Sequence, residues 1–210
     1  MPDATQPLTA DLCLWLDVPE ADRLEMRQFE EDALGPPDRR RPTPGDRLTW
    51  AKLDPSESWL IRVRDDCPDH RLISRAFVIR RTILVGGQQT RTAGLRGVLT
   101  HPAHRRRGGG SAGMKRAARF IWDELCPDLA LLLSSTMAVP FYESLGWSVV
   151  PGTVFCDQPD GRLNYSAAFP DCPAMVRLPA ARNGERSRAG PPRASHPVLT
   201  DEIDLCGLPW

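Results

Sequence analysis

A chain of 210 residues, of which 41% are hydrophobic and 26% charged, has the size and composition of a globular protein with one domain and some additional segments. Its longest apolar run covers only residues 129–133, and residues 1–7 lack the parts of a signal peptide, so we expect a cytoplasmic protein that does not enter a membrane. The six cysteines lack the spacing of a common zinc module, which predicts reduced thiols and no metal site.

The net charge is zero, but acidic and basic residues are separated along the chain. Residues 1–35 contain nine acids and two arginines, whereas residues 71–119 contain eleven arginines, one lysine and no acid. The acidic segment either faces a cationic acceptor, with Glu31 and Asp32 as candidate contacts, or forms only a solvated face. The basic segment lacks interleaved aromatic residues, and the acidic segment would repel phosphates, so nucleic-acid binding is not expected.

The first half of the chain predicts one helix and four strands. Apolar residues at helical spacing predict a helix that opens at residues 18–20 and ends at Gly35. Residues 36–48 have no periodicity and predict a loop. The pair Gly86-Gly87 is a strong hairpin signal between the two longest strands. The predicted strands cover residues 11–16, 59–63, 72–85 and 88–99.

The second half predicts two helices and three strands. An amphipathic helix is expected from Gly108 to just before Pro127, and a second, shorter helix over residues 138–145. The predicted strands cover residues 129–133, 147–156 and 174–178. The chain is expected to have three parts: a domain over residues 1–180, a flexible linker over 181–200 and a C-terminal segment over 201–210 that returns to the domain.

The strongest candidate site lies between a strand and the amphipathic helix, at Arg105-Arg106-Arg107-Gly108-Gly109-Gly110-Ser111-Ala112. Glycines allow backbone N–H groups to turn toward a ligand, the helix start supplies unpaired donors, and the arginines add positive charge. These features predict an anion site suited to a pyrophosphate. The spacing is neither that of a P-loop nor that of a dinucleotide fingerprint.

Two segments resemble the GCN5-related N-acetyltransferase (GNAT) superfamily in order and spacing. The pattern Arg105-x-x-Gly108-x-Gly110, after a strand that ends at residues 98–102, is similar to its acyl-CoA-binding motif. Ser134-Ser135 and residues 140–147 are similar to its fifth strand and following helix. The resemblance implies an α/β fold with a mixed, mostly antiparallel central sheet that is splayed between strands four and five and flanked by helices.

The same resemblance implies an N-acetyltransferase that moves acetyl from acetyl-CoA to a small-molecule amine without a metal. The backbone of Val98, Leu99 and Thr100 would bind the pantetheine arm, and the N–H groups of residues 105–112 would hold the pyrophosphate. Tyr142 would be the general acid.

A closer resemblance, carried by residues 72–81, the Gly86-Gly87 hairpin and the final Trp210, is to the aminoglycoside 2′-N-acetyltransferases and the related nodulation-type N-acyltransferases. It implies an aminoglycoside acceptor and antibiotic resistance, with Trp210 at the catalytic and acceptor site. Ser135 and Asp204 are further candidate acceptor contacts, and the segment over 201–210 would dock there.

This chain departs from the aminoglycoside family at two positions. The family has a carboxylate where this chain has Arg96, and an aspartate where it has Leu208. Arg96, which becomes a candidate acceptor contact, cannot accept a proton at neutral pH. Four alternatives therefore stay open: another amine acceptor, a longer acyl donor, transfer to protein N-termini or lysines, and a CoA-binding module without turnover. The oligomeric state also stays open, with a homodimer among the states allowed.

Overall fold

The computed structural model describes residues 7–35, 52–180 and 201–209, which form a mixed sheet with helices on both faces. The helices are Glu20–Leu34 (α1), Gly109–Phe120 (α2), Val139–Glu143 (α3) and Tyr165–Ala168 (α4). The strands are Leu8–Leu14 (β1), Ser58–Asp65 (β2), Leu72–Val85 (β3), Gln88–Thr100 (β4), Leu129–Leu133 (β5), Ser148–Val149 (β6), Val154–Gln158 (β7), Gly161–Asn164 (β8), Ala174–Arg177 (β9) and Ile203–Asp204 (β10). Of the helices in these ranges, none is long and apolar enough to span a bilayer.

The sheet is mixed and mostly antiparallel, which confirms the predicted fold class. Its order is β6-β9-β5-β4-β3-β10-β7-β8, and β1 joins it through β2, which pairs with the first half of β3. Within the described ranges, β4 with β5 and β7 with β10 are the parallel pairs. A parallel pair needs a crossover connection, and α2 makes the one between β4 and β5.

The central strand β3 is covered on both faces. Phe77 packs in one cluster with Met26 of α1, while the next residue, Val78, packs in another with Met114 of α2. The first eight residues of β3 are all buried. A strand covered on both sides has a nearly continuous apolar sequence, which is why this one is recognisable before the structure is known.

Helix α2 follows the predicted amphipathic pattern, with Met114, Ala117 and Ile121 buried. Its α-helical part ends at Phe120, and a wider π-helical turn continues over Ile121–Leu125. Cys126 then adopts a left-handed conformation (φ +46°), so the helix stops directly before the predicted breaker, Pro127.

The predicted single strand over residues 147–156 is wrong, because two strands occupy this range. β6 pairs with β9, whereas β7 pairs with β8 and β10. Pro151 and Gly152 lie between β6 and β7, and proline lacks the N–H that a continuous ladder needs. Strands β8 and β10 and helix α4 were not predicted from the sequence. Each has four residues or fewer, which is too short for a periodic signal.

Acidic residues of β1 and α1 form ion pairs with arginines of the sheet. The pairs are Arg62 with Asp11 and Asp22, Arg64 with Glu25, and Arg75 with Glu30. Among these pairs, Arg75 with Glu30 joins the acidic segment to the basic segment of residues 71–119, whereas Arg62 and Arg64 precede the basic segment. Four of the nine acids of residues 1–35 are therefore paired with arginines of the sheet.

Residues 201–209 extend the sheet beside the β3–β4 hairpin. Strand β10 lies between β3 and β7, and Ile203 and Leu205 are fully buried. Arg81 of β3 holds the turn that follows, donating from Nη1 to the carbonyl of Leu208 at 2.7 Å and from Nη2 to that of Leu205 at 3.1 Å. The predicted loop at 36–48 and the predicted linker at 181–200 lie outside the described residues.

Replacing Ile203 with alanine should lower the free energy of unfolding by about 2–5 kcal/mol, because it removes a fully buried side chain between two strands. Chemical denaturation measures this change. Glu202→Ala is the matched control, since the exposed Glu202 carboxylate forms only a surface ion pair with Arg162. Equal stability of Ile203→Ala and wild type would contradict a structural role for β10.

Candidate active site

The pairing between β4 and β5 stops before β4 ends. The paired residues of β4 run from Thr92 to Leu95, and β5 ends at Leu133. Strand β4 continues to Thr100. In the part of the chain that the structure describes, residues 97–100 have no partner strand on the β5 side. An exposed strand edge of this kind can hydrogen-bond an extended ligand through its backbone.

A β-bulge lies at the start of this unpaired edge. One residue of β3 lies between Arg75 and Phe77, whereas the facing stretch of β4 has two, Gly97 and Val98. Gly97 has a φ of +56°, and a Cβ there would lie 2.8 Å from Arg75 Nη1. A bulge bends its strand, which accounts for the divergence of β4 from β5 at this point.

The start of α2 lies close to the end of β4. Arg106 and Gly108 both have left-handed conformations, with φ of +63° and +85°, and they turn the chain into the helix. The N–H groups of the first helical turn have no acceptor within the helix. They carry the positive end of the helix dipole, which makes this turn an anion-binding element.

Gly110 permits the close approach of three elements. A Cβ on this residue would lie 3.2 Å from the hydroxyl oxygen of Thr100 at the end of β4 and 3.5 Å from Cζ of Phe141 in α3. The Thr100 hydroxyl is in turn 3.0 Å from that of Ser74 in β3. The unpaired end of β4, the first turn of α2 and α3 therefore meet at one place.

Arg105, Arg106 and Arg107 are exposed beside the first turn of α2. Arg105 Nε lies 3.5 Å from the carbonyl oxygen of Thr100, and Arg107 Nη1 lies 3.2 Å from Nδ1 of His104. The structure thus brings the predicted anion-binding residues together around a helix start.

Tyr142 of α3 is buried on the same side of the sheet as α2. Its ring packs edge-on against Phe141 and Trp147, with centroid distances of 5.1 and 6.4 Å. Burial raises the pKa of Tyr142 to about 12, and a side-chain hydrogen bond with Ser134 offsets part of that shift. The phenol is therefore protonated at neutral pH and able to donate a proton.

The point where β4 diverges from β5 is called the splay. A cavity of about 640 Å³ opens beside it, on the α1 side of the sheet. It is lined by apolar and charged residues, namely Trp15, Glu20, Arg23, Met26, Arg27, Glu30, Leu53, Arg75, Phe77, Leu95, Arg96, Gly97 and Leu133. Among the described residues, no group of three or more His, Cys, Asp or Glu side chains is placed to hold a metal ion.

The predicted acceptor residues are not all brought to this cavity. Arg96 lines it, whereas Glu31, Asp32 and Ser135 are exposed and do not. Asp204 is paired in register with Leu84 of β3. The residue of β3 that pairs with Arg96 lies seven positions away along this strand, so Asp204 is about 23 Å from Arg96. Trp210 lies outside the described residues.

Of the thirteen residues that line the cavity, only Arg96 was predicted as a site residue, and Glu30, Arg75 and Trp15 are among those that were missed. Glu30 forms an ion pair with the buried Arg75 at 2.6 Å, and Arg75 also donates to the carbonyl of Gly97 at 3.3 Å. Trp15 packs against the cavity from the turn before α1. These residues come from separate elements, so no local spacing signals their proximity. Arg96 is half-buried, and desolvation lowers the pKa of its guanidinium, an effect that the charge of Glu30 partly offsets.

Comparison with protein families matches residues 18–150 to a family described as an acetyltransferase (GNAT) domain. That range contains the splay, the start of α2 and Tyr142. Comparison with curated proteins gives no match.

Several solved structures share the fold at low sequence identity. Escherichia coli ElaA has a TM-score of 0.55 and 11% identity, over 81% of this chain and 99% of that one. An acyl-CoA N-acyltransferase from Pseudomonas aeruginosa has a TM-score of 0.53 and 14% identity, over 82% of this chain and 100% of that one. The ribosomal-protein-S18-alanine N-acetyltransferase of Escherichia coli has a TM-score of 0.50 and 16% identity, over 86% of this chain and 100% of that one.

Gly110→Asp should weaken acetyl-CoA binding about 30-fold or more. The new side chain fills the narrow space beside Thr100. It also adds a negative charge to a helix end whose attraction for an anion is worth up to about 2 kcal/mol. Isothermal titration calorimetry measures the affinity. Arg119→Gln, which makes the same charge change near the other end of α2, should bind acetyl-CoA normally. Unaltered affinity in Gly110→Asp would show that the anion site is misplaced.

Proposed function

This chain belongs to the acetyltransferase (GNAT) family, and on that basis we propose that it moves the acetyl group of acetyl-CoA to the amine of a small molecule. The observation that carries the proposal is that the unpaired end of β4, the first turn of α2 and α3, the helix that contains Tyr142, meet at one place. Membership of the family implies an acyl-CoA donor and an acceptor. The assignment of individual residues is the proposal.

The donor lies across the splay in this proposal. Its pantetheine arm forms backbone hydrogen bonds with Val98, Leu99 and Thr100 in place of the missing strand, and its pyrophosphate lies against residues 105–112. The close approach of the Thr100 hydroxyl to Gly110 supports this arrangement, because it brings the two binding elements together where Gly110 has no side chain. The arginines of this segment add attraction for the phosphates.

Transfer requires that the amine nitrogen attack the thioester carbonyl carbon, so that a C–N bond forms and the C–S bond breaks. The nitrogen loses one proton and the leaving thiolate gains one. A backbone N–H at the bulge, that of Val98, is suited to polarise the carbonyl oxygen. Tyr142 is the candidate to protonate the thiolate, because burial keeps its phenol protonated.

The acceptor enters from the cavity on the α1 side. An aminoglycoside is the finer hypothesis from the sequence, and with it a role in antibiotic resistance. Two observations count against it: Asp204 lies at the hairpin end of the sheet, and the cavity lining holds more arginines than acids. We therefore propose a small-molecule amine without that restriction. Arg96 is retained as an acceptor contact.

Tyr142→Phe should lower kcat by about 10²–10⁴-fold, the usual contribution of a positioned general acid, while acetyl-CoA affinity stays unchanged. Release of free CoA in the presence of amines measures the rate, and calorimetry measures the affinity. Tyr165→Phe is the matched control, because Tyr165 is the only other tyrosine and is buried beneath β7 and β8. Normal turnover in Tyr142→Phe would reduce Tyr142 to a packing role.

The pH profile gives an independent test of the same residue. The value of kcat/KM should rise with pH as the acceptor amine loses its proton. It should show no falling limb up to pH 10, because the pKa of Tyr142 is raised to about 12 and the phenol keeps its proton. A falling limb with a midpoint at pH 8–9 that persists in Tyr142→Phe would assign the acid to another group.

A further inference from the structure

The cavity beside the splay has a positive balance of charge among the residues that the structure describes. Its lining holds four guanidiniums and two carboxylates. Each carboxylate forms an ion pair with an arginine of the same lining: Glu20 with Arg27 at 2.8 Å, and Glu30 with Arg75 at 2.6 Å. The acids of the lining are thus engaged by the protein itself, and an anionic ligand is favoured over a polycation.

The aromatic rings of the cavity are also occupied by the protein's own cations. The guanidinium of Arg23 lies over the Trp15 ring, 4.8 Å from its centroid, and that of Arg75 lies 5.3 Å from the centroid of Phe77. The two rings pack edge-to-face at 5.4 Å. A ligand ammonium would therefore approach rings that already carry a cation over one face, which weakens the attraction that aromatic cages provide.

Arg96 connects this positive surface to the reacting atoms. It lines the cavity and directly precedes the bulge formed by Gly97 and Val98. A guanidinium is suited to bind a carboxylate through two parallel hydrogen bonds. An acceptor whose carboxylate binds Arg96 would place its amine close to the expected position of the thioester carbonyl.

The rest of the lining fits an apolar group. Met26, Leu53, Leu95 and Leu133 surround the cavity together with the two aromatic rings. Resting on the proposed function, we propose that the acceptor is an amino acid with an apolar side chain, whose carboxylate binds Arg96 while its amine attacks the thioester.

The test compares leucine, phenylalanine and methionine with the amines that result when each loses its carboxylate. Each pair keeps the same side chain and a primary amine, so a difference reports the carboxylate. Release of CoA gives kcat/KM for every compound. We expect at least one amino acid to exceed its paired amine by about tenfold or more, the range for a charge-assisted hydrogen bond.

Arg96→Gln should reduce that preference to less than about threefold, while Arg119→Gln, exposed on α2, should keep it. Paired amines that are used as well as the amino acids, or a preference that survives in Arg96→Gln, would overturn the inference. Efficient turnover of spermidine or an aminoglycoside without turnover of amino acids would overturn it and leave the proposed function intact. No CoA release with any amine would contradict the proposed function as well.

Discussion

The structure depends on one constraint, the end of pairing between β4 and β5 after Leu95. A parallel pair that stops early leaves the last residues of β4 with backbone groups that face no strand. The bulge at Gly97 and Val98 creates this divergence, and α3 and the start of α2 are packed around the opening. The proposed donor site and the cavity proposed for the acceptor both lie at this opening of the sheet.

The second organising interaction is the pairing of α1 with arginines of the sheet. Arg62, Arg64 and Arg75 are each partly or wholly buried under α1 and contact its acids or those of β1. The pairs fix the helix that forms one wall of the acceptor cavity. Some of the acids that in sequence suggest attraction for an external cation are thus paired internally, and the described lining of the cavity holds more arginines than acids.

The long elements could be predicted because each has a physical signature of its own. Strand β3 is apolar because it is covered on both faces, Gly86-Gly87 permits the positive φ values of a tight turn, and α2 has a clear apolar stripe. The anion site was predicted because its residues are contiguous in sequence. The GNAT resemblance added the splay and the candidate acid.

The remaining features depend on contacts between distant residues. The bulge is set by the register of β3 against β4, and Gly97 alone does not signal it. The pair Glu30–Arg75 joins α1 to β3 across 45 residues, and β10 is a strand only because β3 and β7 present edges to it. The break in the predicted strand over 147–156 was signalled by Pro151-Gly152, and this signal was outweighed by the apolar residues on either side.

Backbone hydrogen exchange with and without acetyl-CoA tests the central claim most directly, because the donor is proposed to bind mainly through backbone groups. Saturating acetyl-CoA should slow exchange at residues 97–100 and 106–111 and leave β10, at the other end of the β3–β4 hairpin, unchanged. Unchanged exchange at both segments under saturating acetyl-CoA, or protection confined to another part of the sheet, would contradict the account.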